Sequence, residues 1–106
     1  MTSARRIAVK VLSRVEKERA FAAAALEAEL AGVADPRDAA LATGLVYGAL
    51  RNRPWLDHLL DGASERGRLE VDPVVRDVLR VAAYELAFLD RVPAHAALAG
   101  AAELPV

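Results

Sequence analysis

The chain has 106 residues, no cysteine and a formal net charge of −1, a length typical of one domain with a single hydrophobic core. The lack of cysteine excludes disulfides, thiolate metal sites and a cysteine nucleophile. No N-terminal segment resembles a signal peptide, and no apolar run approaches the roughly 20 residues of a membrane span. We therefore expect a single domain, residues 1–106, that is cytoplasmic and makes no membrane contact.

The charge is distributed unevenly along the chain. Residues 1–19 contain six basic and two acidic side chains, whereas the rest of the chain contains eight basic and thirteen acidic ones. A basic segment on an otherwise acidic body is typical of a protein that directs one helix or arm at an anion.

Helical patterning runs through the whole sequence. No segment alternates polar and apolar residues for long enough to predict a strand, and the 24 alanines favour helix. The pattern predicts an all-α, compact bundle of about six helices. The first helix is expected over about residues 3–18, with Ser3 as its cap. Its apolar face is predicted to consist of Ile7, Ala8, Val11, Leu12 and Val15.

The second and third helices follow directly. The second is predicted over residues 21–30, with Gly32 as the left-handed residue that ends it. The third is predicted to begin with Asp35 as N-cap and Pro36 in the first helical position, and to run to about Arg51.

Proline also marks the starts of the later helices. A short fourth helix is predicted from Pro54 to Gly62, and the polar loop "GASERGRLE" after it should be the most flexible internal segment. Asp72 and Pro73 begin the fifth helix, and Pro93 begins the sixth. The face of the fifth helix predicted to be buried consists of Val75, Val78, Leu79, Ala82, Leu86 and Leu89, at the spacing of an amphipathic helix.

A row of basic residues is the sharpest functional feature of the first helix. Arg6, Lys10, Arg14 and Lys17 recur at i, i+4, i+8 and i+11, which places them in one stripe opposite the apolar face. Like charges at this spacing repel one another, and a phosphate backbone would compensate them. A solvated face, softened by Glu18 near Arg14, accounts for the stripe equally well.

The two histidines carry no clear site. Neither His58 nor His95 has a second histidine or a cysteine at metal-ligand spacing. Asp57 and Asp61 flank His58, but a surface cluster is the favoured interpretation. His95 has no nearby serine to activate, so a structural or surface role is expected. We expect no catalytic residue, no metal and no cofactor, and no glycine-rich phosphate loop is present.

Two further patterns lie on the third and fifth helices. Gly44 and Gly48 form a G-x-x-x-G motif, which predicts the close approach of another helix. Arg76, Arg80 and Tyr84 form a row that either adds to a nucleic-acid surface or covers the bundle with long side chains. Structural cover is the favoured interpretation.

Three segments resemble a known family. They are "ARRIAVKVLSRV", "DPRDAALATGLVYGALRNRPWLDHLL" and "LRVAAYELAFLDRVPAHAALAGAAEL". In this order they resemble the NusB-type RNA-binding fold, most closely the version at the N-terminus of ribosomal RNA cytosine-5 methyltransferases of the RsmB/Sun type. The "LR-x-A-x-YEL" core is also shared with free NusB antitermination factors.

The resemblance implies an all-helical domain that binds RNA through Arg5, Arg6, Lys10 and Arg14. It also implies that catalysis belongs to a separate domain with an S-adenosylmethionine site and a cysteine nucleophile, so this chain by itself would not be an enzyme. A free-standing antitermination factor that works with a ribosomal protein is one alternative function. A protein-interaction adaptor without an RNA role is another.

The chain departs from the family pattern at its end. Where the family has "V-N-E-A-V-E-L", this sequence has "LAGAAEL", so that Ala99 and Gly100 replace a polar pair. The family continues with another helical segment, which is lacking here. The resemblance therefore predicts lower stability, or a homodimer that covers the face left behind.

Overall fold

The computed structural model describes residues 3–89. Five α-helices, α1 to α5, form this part of the chain, and a π-helical segment, Glu85–Leu89, continues the last of them. Their bounds are Ser3–Glu18, Ala22–Leu30, Pro36–Arg51, Arg53–Gly62 and Pro73–Tyr84. Residues 3–89 contain no strand, which confirms the all-α prediction. None of these helices is long and apolar enough to span a membrane. The sixth helix predicted from Pro93 lies outside the described residues.

Proline and aspartate start α3 and α5 as predicted, but only one of the aspartates caps through its side chain. Asp35 Oδ1 accepts a hydrogen bond from the amide of Arg37 at 2.9 Å, which satisfies one of the free amides of the first turn. Asp72 occupies the same position before α5, yet its carboxylate makes no cap hydrogen bond. The fixed φ of Pro73 is the device that the two starts share.

The end of α2 differs from the prediction. Gly32 is not left-handed, because the positive φ angles within residues 3–89 occur at Arg19, with 52°, and Gly67, with 70°. The helix closes instead through the amide of Val33, which donates to the carbonyl of Leu30 at 2.9 Å. The left-handed conformation of Arg19 lies before α2 and at a non-glycine position, where it is uncommon.

Helix α1 is central, because it lies against α2, α3 and α5. The predicted apolar residues Ala8, Val11 and Leu12 are buried, and Ile7 and Val15 pack against them at the edge of the core. The core also includes Val9 of α1 and side chains from all the remaining α-helices: Ala25, Leu26, Leu45, Val46, Ala49, Leu56 and Val81.

The buried face of α5 is not the predicted one. Asp77, Arg80 and Val81 are the buried residues of this helix. Of the residues predicted to be buried, Val78 and Leu79 are half-buried, and the rest are exposed: Val75, Ala82, Leu86 and Leu89. The physical reason is that α1 and α4 present carboxylates to α5, and these pair with Arg80.

The prediction that the G-x-x-x-G motif of α3 lies at a close helix contact is right for one of its two glycines. A Cβ atom at Gly48 would overlap the ring of Tyr84, so this glycine allows α5 to approach α3 closely. At Gly44 a Cβ atom would meet nothing within 4 Å. One glycine of the pair therefore serves the helix contact, and the other faces open space.

Candidate nucleic-acid interface

The basic face of α1, defined by Arg6, Lys10, Arg14 and Lys17, is the candidate binding surface. All four residues belong to the single helix α1. Arg6, Lys10 and Lys17 are exposed, whereas Arg14 is half-buried. Continuous helical geometry keeps the four side chains on one side, as the spacing predicts.

The middle of this face is partly neutralised by α2. The Nζ atom of Lys10 lies 3.5 Å from Glu29 Oε2, and Nη1 of Arg14 lies 3.7 Å from Glu29 Oε1. Arg14 also pairs with Glu18, at 3.3 Å. The contact with Glu18 is visible from sequence spacing, but Glu29 belongs to another helix, so the sequence gives no signal for it.

The ends of the basic face are less compensated. Within residues 3–89, neither Arg6 nor Lys17 has a carboxylate within ion-pair distance. Within the described residues, the two cations at the ends of the face therefore have no competing carboxylate, whereas the two in the middle already contact one.

Arg5 lies apart from the basic face. Its Nε and Nη2 atoms donate to the two carboxylate oxygens of Glu85, both at 2.6 Å. The hydrogen bond and the negative charge of Glu85 raise the pKa of Arg5 above its usual value. This two-pronged pair joins the start of α1 to the π-helical segment. It stands beside an apolar groove lined by Val9, Leu41, Val78, Val81, Ala82, Leu86 and Leu89.

A second concentration of charge is buried between helices. Its centre is Arg80, whose side chain is only 7% exposed. Arg80 donates to Asp57 at 2.7 Å, to Asp77 at 2.8 Å and to Glu16 at 3.2 Å. Arg53 pairs with Glu16 as well. The Arg80 cluster therefore connects α1, α4 and α5 through hydrogen-bonded charges.

Hydrogen bonding and burial together set the pKa values of the charged groups in the Arg80 cluster. Burial alone would lower the pKa of Arg80, but the hydrogen bonds that Arg80 donates to Asp57 and Asp77 outweigh it and raise that pKa. Burial likewise opposes ionisation of Asp57, yet its hydrogen bond with Arg80 leaves the pKa of Asp57 below the usual value. For Asp77 burial dominates and the pKa is raised. Its Oδ2 atom is buried and has no hydrogen-bond partner within residues 3–89.

The loop between α4 and α5 is tied to the same helices. Arg76 donates to Asp61 Oδ1 at 3.0 Å and to the carbonyl of Leu69 at 2.9 Å. The amide of Leu69 in turn donates to Asp61 Oδ1 at 2.9 Å. That amide, and then Arg76, lower the pKa of Asp61. The segment predicted to be the most flexible is thus fixed at Leu69.

Several sequence interpretations change as a result. Asp57 and Asp61 are half-buried partners of arginines rather than members of a surface cluster, whereas His58 is exposed. Arg80 is neither part of a nucleic-acid surface nor simple cover, because it is almost fully buried. Within residues 3–89 no group of three histidine, aspartate or glutamate side chains is arranged to hold a metal ion. His95 lies outside the described residues.

Comparison with known proteins identifies the family. The NusB family profile matches residues 2–105, which is nearly the whole chain. The chain belongs to the NusB family. The resemblance read from the three sequence segments is confirmed.

Methyltransferases much longer than this chain match it along nearly its whole length. A candidate methyltransferase of Mycobacterium tuberculosis is 43% identical over 102 residues, covering 94% of this chain and 22% of its own length. Ribosomal RNA small subunit methyltransferase B of Erwinia tasmaniensis is 35% identical over 103 residues, covering 97% of this chain and 24% of its own length. The chain thus spans less than a quarter of these relatives.

A second kind of relative matches a shorter stretch of the NusB domain. Transcription antitermination protein NusB of Xanthomonas oryzae is 48% identical over 56 residues, covering 53% of this chain and 36% of its own length. No solved structure gives a significant match.

Proposed function

We propose that this NusB domain is an RNA-binding module that positions ribosomal RNA for a cytosine-5 methyltransferase domain and takes no part in the chemistry. The observation that carries the proposal is the basic face of α1, in a chain that matches methyltransferases over 94% or more of its own length. The proposed contacts are Arg6, Lys10 and Arg14, joined by Lys17. The reacting groups would belong to another part of the enzyme, in the cytoplasm.

The chemistry of the face suits phosphates rather than bases. Arginine and lysine on a regular helix make charge-assisted hydrogen bonds to phosphate oxygens, which orient a nucleic acid without reading its sequence. Sequence-specific recognition of RNA depends instead on stacking and hydrogen bonding to unpaired bases. The basic face therefore supports a positioning role, in which register and orientation are fixed and the choice of cytosine is made elsewhere.

Arg5 has a different place in this proposal. The Nε and Nη2 atoms of Arg5 both donate to Glu85. Its main contribution is therefore to hold the start of α1 against the π-helical segment. We therefore propose that Arg5 supports the interface indirectly, by fixing the helix from which the other cations project.

A free-standing antitermination factor is the second candidate function. The match to an antitermination protein, at 48% identity over 56 residues, favours it. In this role the domain would bind a nascent transcript together with a ribosomal protein. The coding sequence around the chain separates the two functions, because a methyltransferase domain in the same reading frame decides for the first.

The test of RNA binding is a titration with single-stranded ribosomal RNA fragments. The double variant Arg6→Ala with Lys10→Ala should bind several-fold more weakly, with a shallower dependence on salt. The matched control is Arg66→Ala with Arg68→Ala, which removes the same charge from the exposed loop after α4. Equal affinity and salt dependence for the wild type and the α1 variant would refute the proposed interface. If the chain binds a protein partner and shows no detectable RNA binding at low salt, the adaptor function is favoured.

A further inference from the structure

Glu29 is placed to compete with an anion for the middle of the basic face. It projects from α2 and lies within ion-pair distance of both Lys10 and Arg14, at 3.5 and 3.7 Å. Its own side chain is 18% exposed, whereas that of Lys10 is 65% exposed. One carboxylate with two oxygens thus occupies two neighbouring cations, as a phosphate group would.

We propose that Glu29 is an internal competitor for phosphate that tunes the affinity of the basic face for RNA. This role rests on the RNA binding proposed for α1. When RNA binds, Lys10 and Arg14 exchange the Glu29 carboxylate for phosphate oxygens. Arg6 and Lys17, which have no carboxylate partner within residues 3–89, make the first contacts and need no such exchange.

The exchange is energetically accessible because the contacts are weak ones. Both distances exceed those of short charge-assisted hydrogen bonds. Although Glu29 is only 18% exposed, Lys10 is 65% exposed, so solvent screens the pair, and a screened ion pair changes an equilibrium constant by a factor of roughly two to five. A competitor of this strength lowers affinity without blocking the site. It favours polyanions that supply several phosphates at once over single small anions, because only the former also engage the two ends of the face.

A matched pair of variants on α2 isolates the effect. Glu29→Gln removes the competing charge and keeps the size of the side chain. Glu27→Gln removes the same charge from an exposed position of the same helix that makes no ion pair within residues 3–89. Any effect of overall charge is common to the two variants, so the difference between them reports the contact with Lys10 and Arg14.

The experiment is a fluorescence-anisotropy titration of the full chain with a labelled single-stranded RNA of mixed sequence. Glu29→Gln should bind about threefold more tightly than Glu27→Gln. Its plot of log K against log salt should also be steeper, because the Glu29 carboxylate that is released in the wild type takes up a cation and so offsets part of the cation release from the phosphates. In a Lys10→Gln, Arg14→Gln background, the two α2 variants should bind equally, which excludes a change in folding as the cause.

Two results overturn the proposal in distinguishable ways. If the wild type binds RNA but Glu29→Gln binds no more tightly than Glu27→Gln, the role of Glu29 is wrong and the proposed function stands. If neither the wild type nor Glu29→Gln binds RNA at low salt, the proposed function fails and this role fails with it.

Discussion

Basic side chains have two opposite roles in this chain. On the basic face of α1, Arg6 and Lys17 are exposed and have no carboxylate partner within residues 3–89. In the Arg80 cluster, an arginine is almost fully buried and hydrogen-bonded to three carboxylates on three helices. Position in the fold, not residue type, therefore separates a charge that can bind a partner from one that holds the bundle together.

The two regions meet on α1. Glu16, which belongs to the same helix as the basic face, pairs with Arg80 and Arg53. The buried cluster therefore fixes the helix that also carries the proposed binding residues. Fold and interface are coupled through one helix, but they should respond differently to mutation.

The largest effect is expected at the centre of the buried cluster. Arg80→Met leaves Asp57, Asp77 and Glu16 without their shared cation, and removal of one partner from a buried ion pair costs about 3–5 kcal/mol. The free energy of unfolding, measured with urea, should fall by that amount, which is a large part of the stability of a small domain.

The control for this variant is Arg14→Met on the basic face. Arg14 is half-exposed and pairs only across the surface, so its loss should cost less than about 1 kcal/mol. Equal losses for the two variants would contradict the distinction between the two regions.

A smaller effect is expected where α3 meets α5. Gly48→Ala places a methyl group against the ring of Tyr84, which is stacked on Phe88 at a centroid distance of 5.0 Å and cannot yield freely. Overpacking of this kind costs about 1–3 kcal/mol. Gly44→Ala, on the open side of the same helix, should instead stabilise the protein by about 0.5–1 kcal/mol. Thermal unfolding of the two variants shows whether each one loses or gains stability. A Gly48→Ala variant as stable as the wild type would rule out the close contact between α3 and Tyr84.

The buried charges also predict opposite pH effects for two aspartates. The folded-state pKa of Asp61 is lowered, so its stabilisation is present above the unfolded pKa, about 3.9, and is lost as the pH falls through the folded value. The folded-state pKa of Asp77 is raised, so its contribution is present below about pH 3.9 and is lost as the pH rises through the folded value.

Asparagine variants separate these contributions. Relative to the wild type, Asp61→Asn should lose less stability on acidification from pH 6 to pH 3, and Asp77→Asn should lose more. Urea unfolding across that interval measures both. The assignment of Asp77 is wrong if the two variants shift the pH dependence in the same direction.

Local chemistry made the helix starts predictable from the sequence. An aspartate followed by proline specifies the starts of α3 and α5 because the proline fixes φ and has no amide to satisfy. The end of α2 was not predictable in this way. Gly32 permits a left-handed turn but does not require one, and the helix ends instead with the amide of Val33 donating to the carbonyl of Leu30.

The buried face of α5 was mispredicted for a non-local reason. Hydrophobic spacing assigns burial to apolar residues, whereas Arg80 is buried because carboxylates from α1 and α4 pair with it, and Asp77 is buried as a hydrogen-bond partner of Arg80. No pattern within α5 reveals those partners. The same applies to Gly44 and Gly48, since only the position of Tyr84 distinguishes them.

The candidate interface was predicted in outline, and its internal pairing was not. Helical spacing places Arg6, Lys10, Arg14 and Lys17 on one face. It does not reveal that Glu29 contacts the middle of that face, or that Arg5 points to Glu85. Neither contact follows from the spacing within α1, because each carboxylate belongs to another element of the fold.

The salt dependence of RNA binding is the most direct test of whether the basic face of α1 binds the phosphates of RNA. If the four cations of the basic face neutralise about four phosphates of a single strand, log K should fall with log salt at a slope of about −2.8. The slope should approach zero when all four are changed to glutamine, while the free energy of unfolding stays nearly constant. If the four substitutions leave the slope unchanged, the basic face of α1 does not bind the phosphates of RNA.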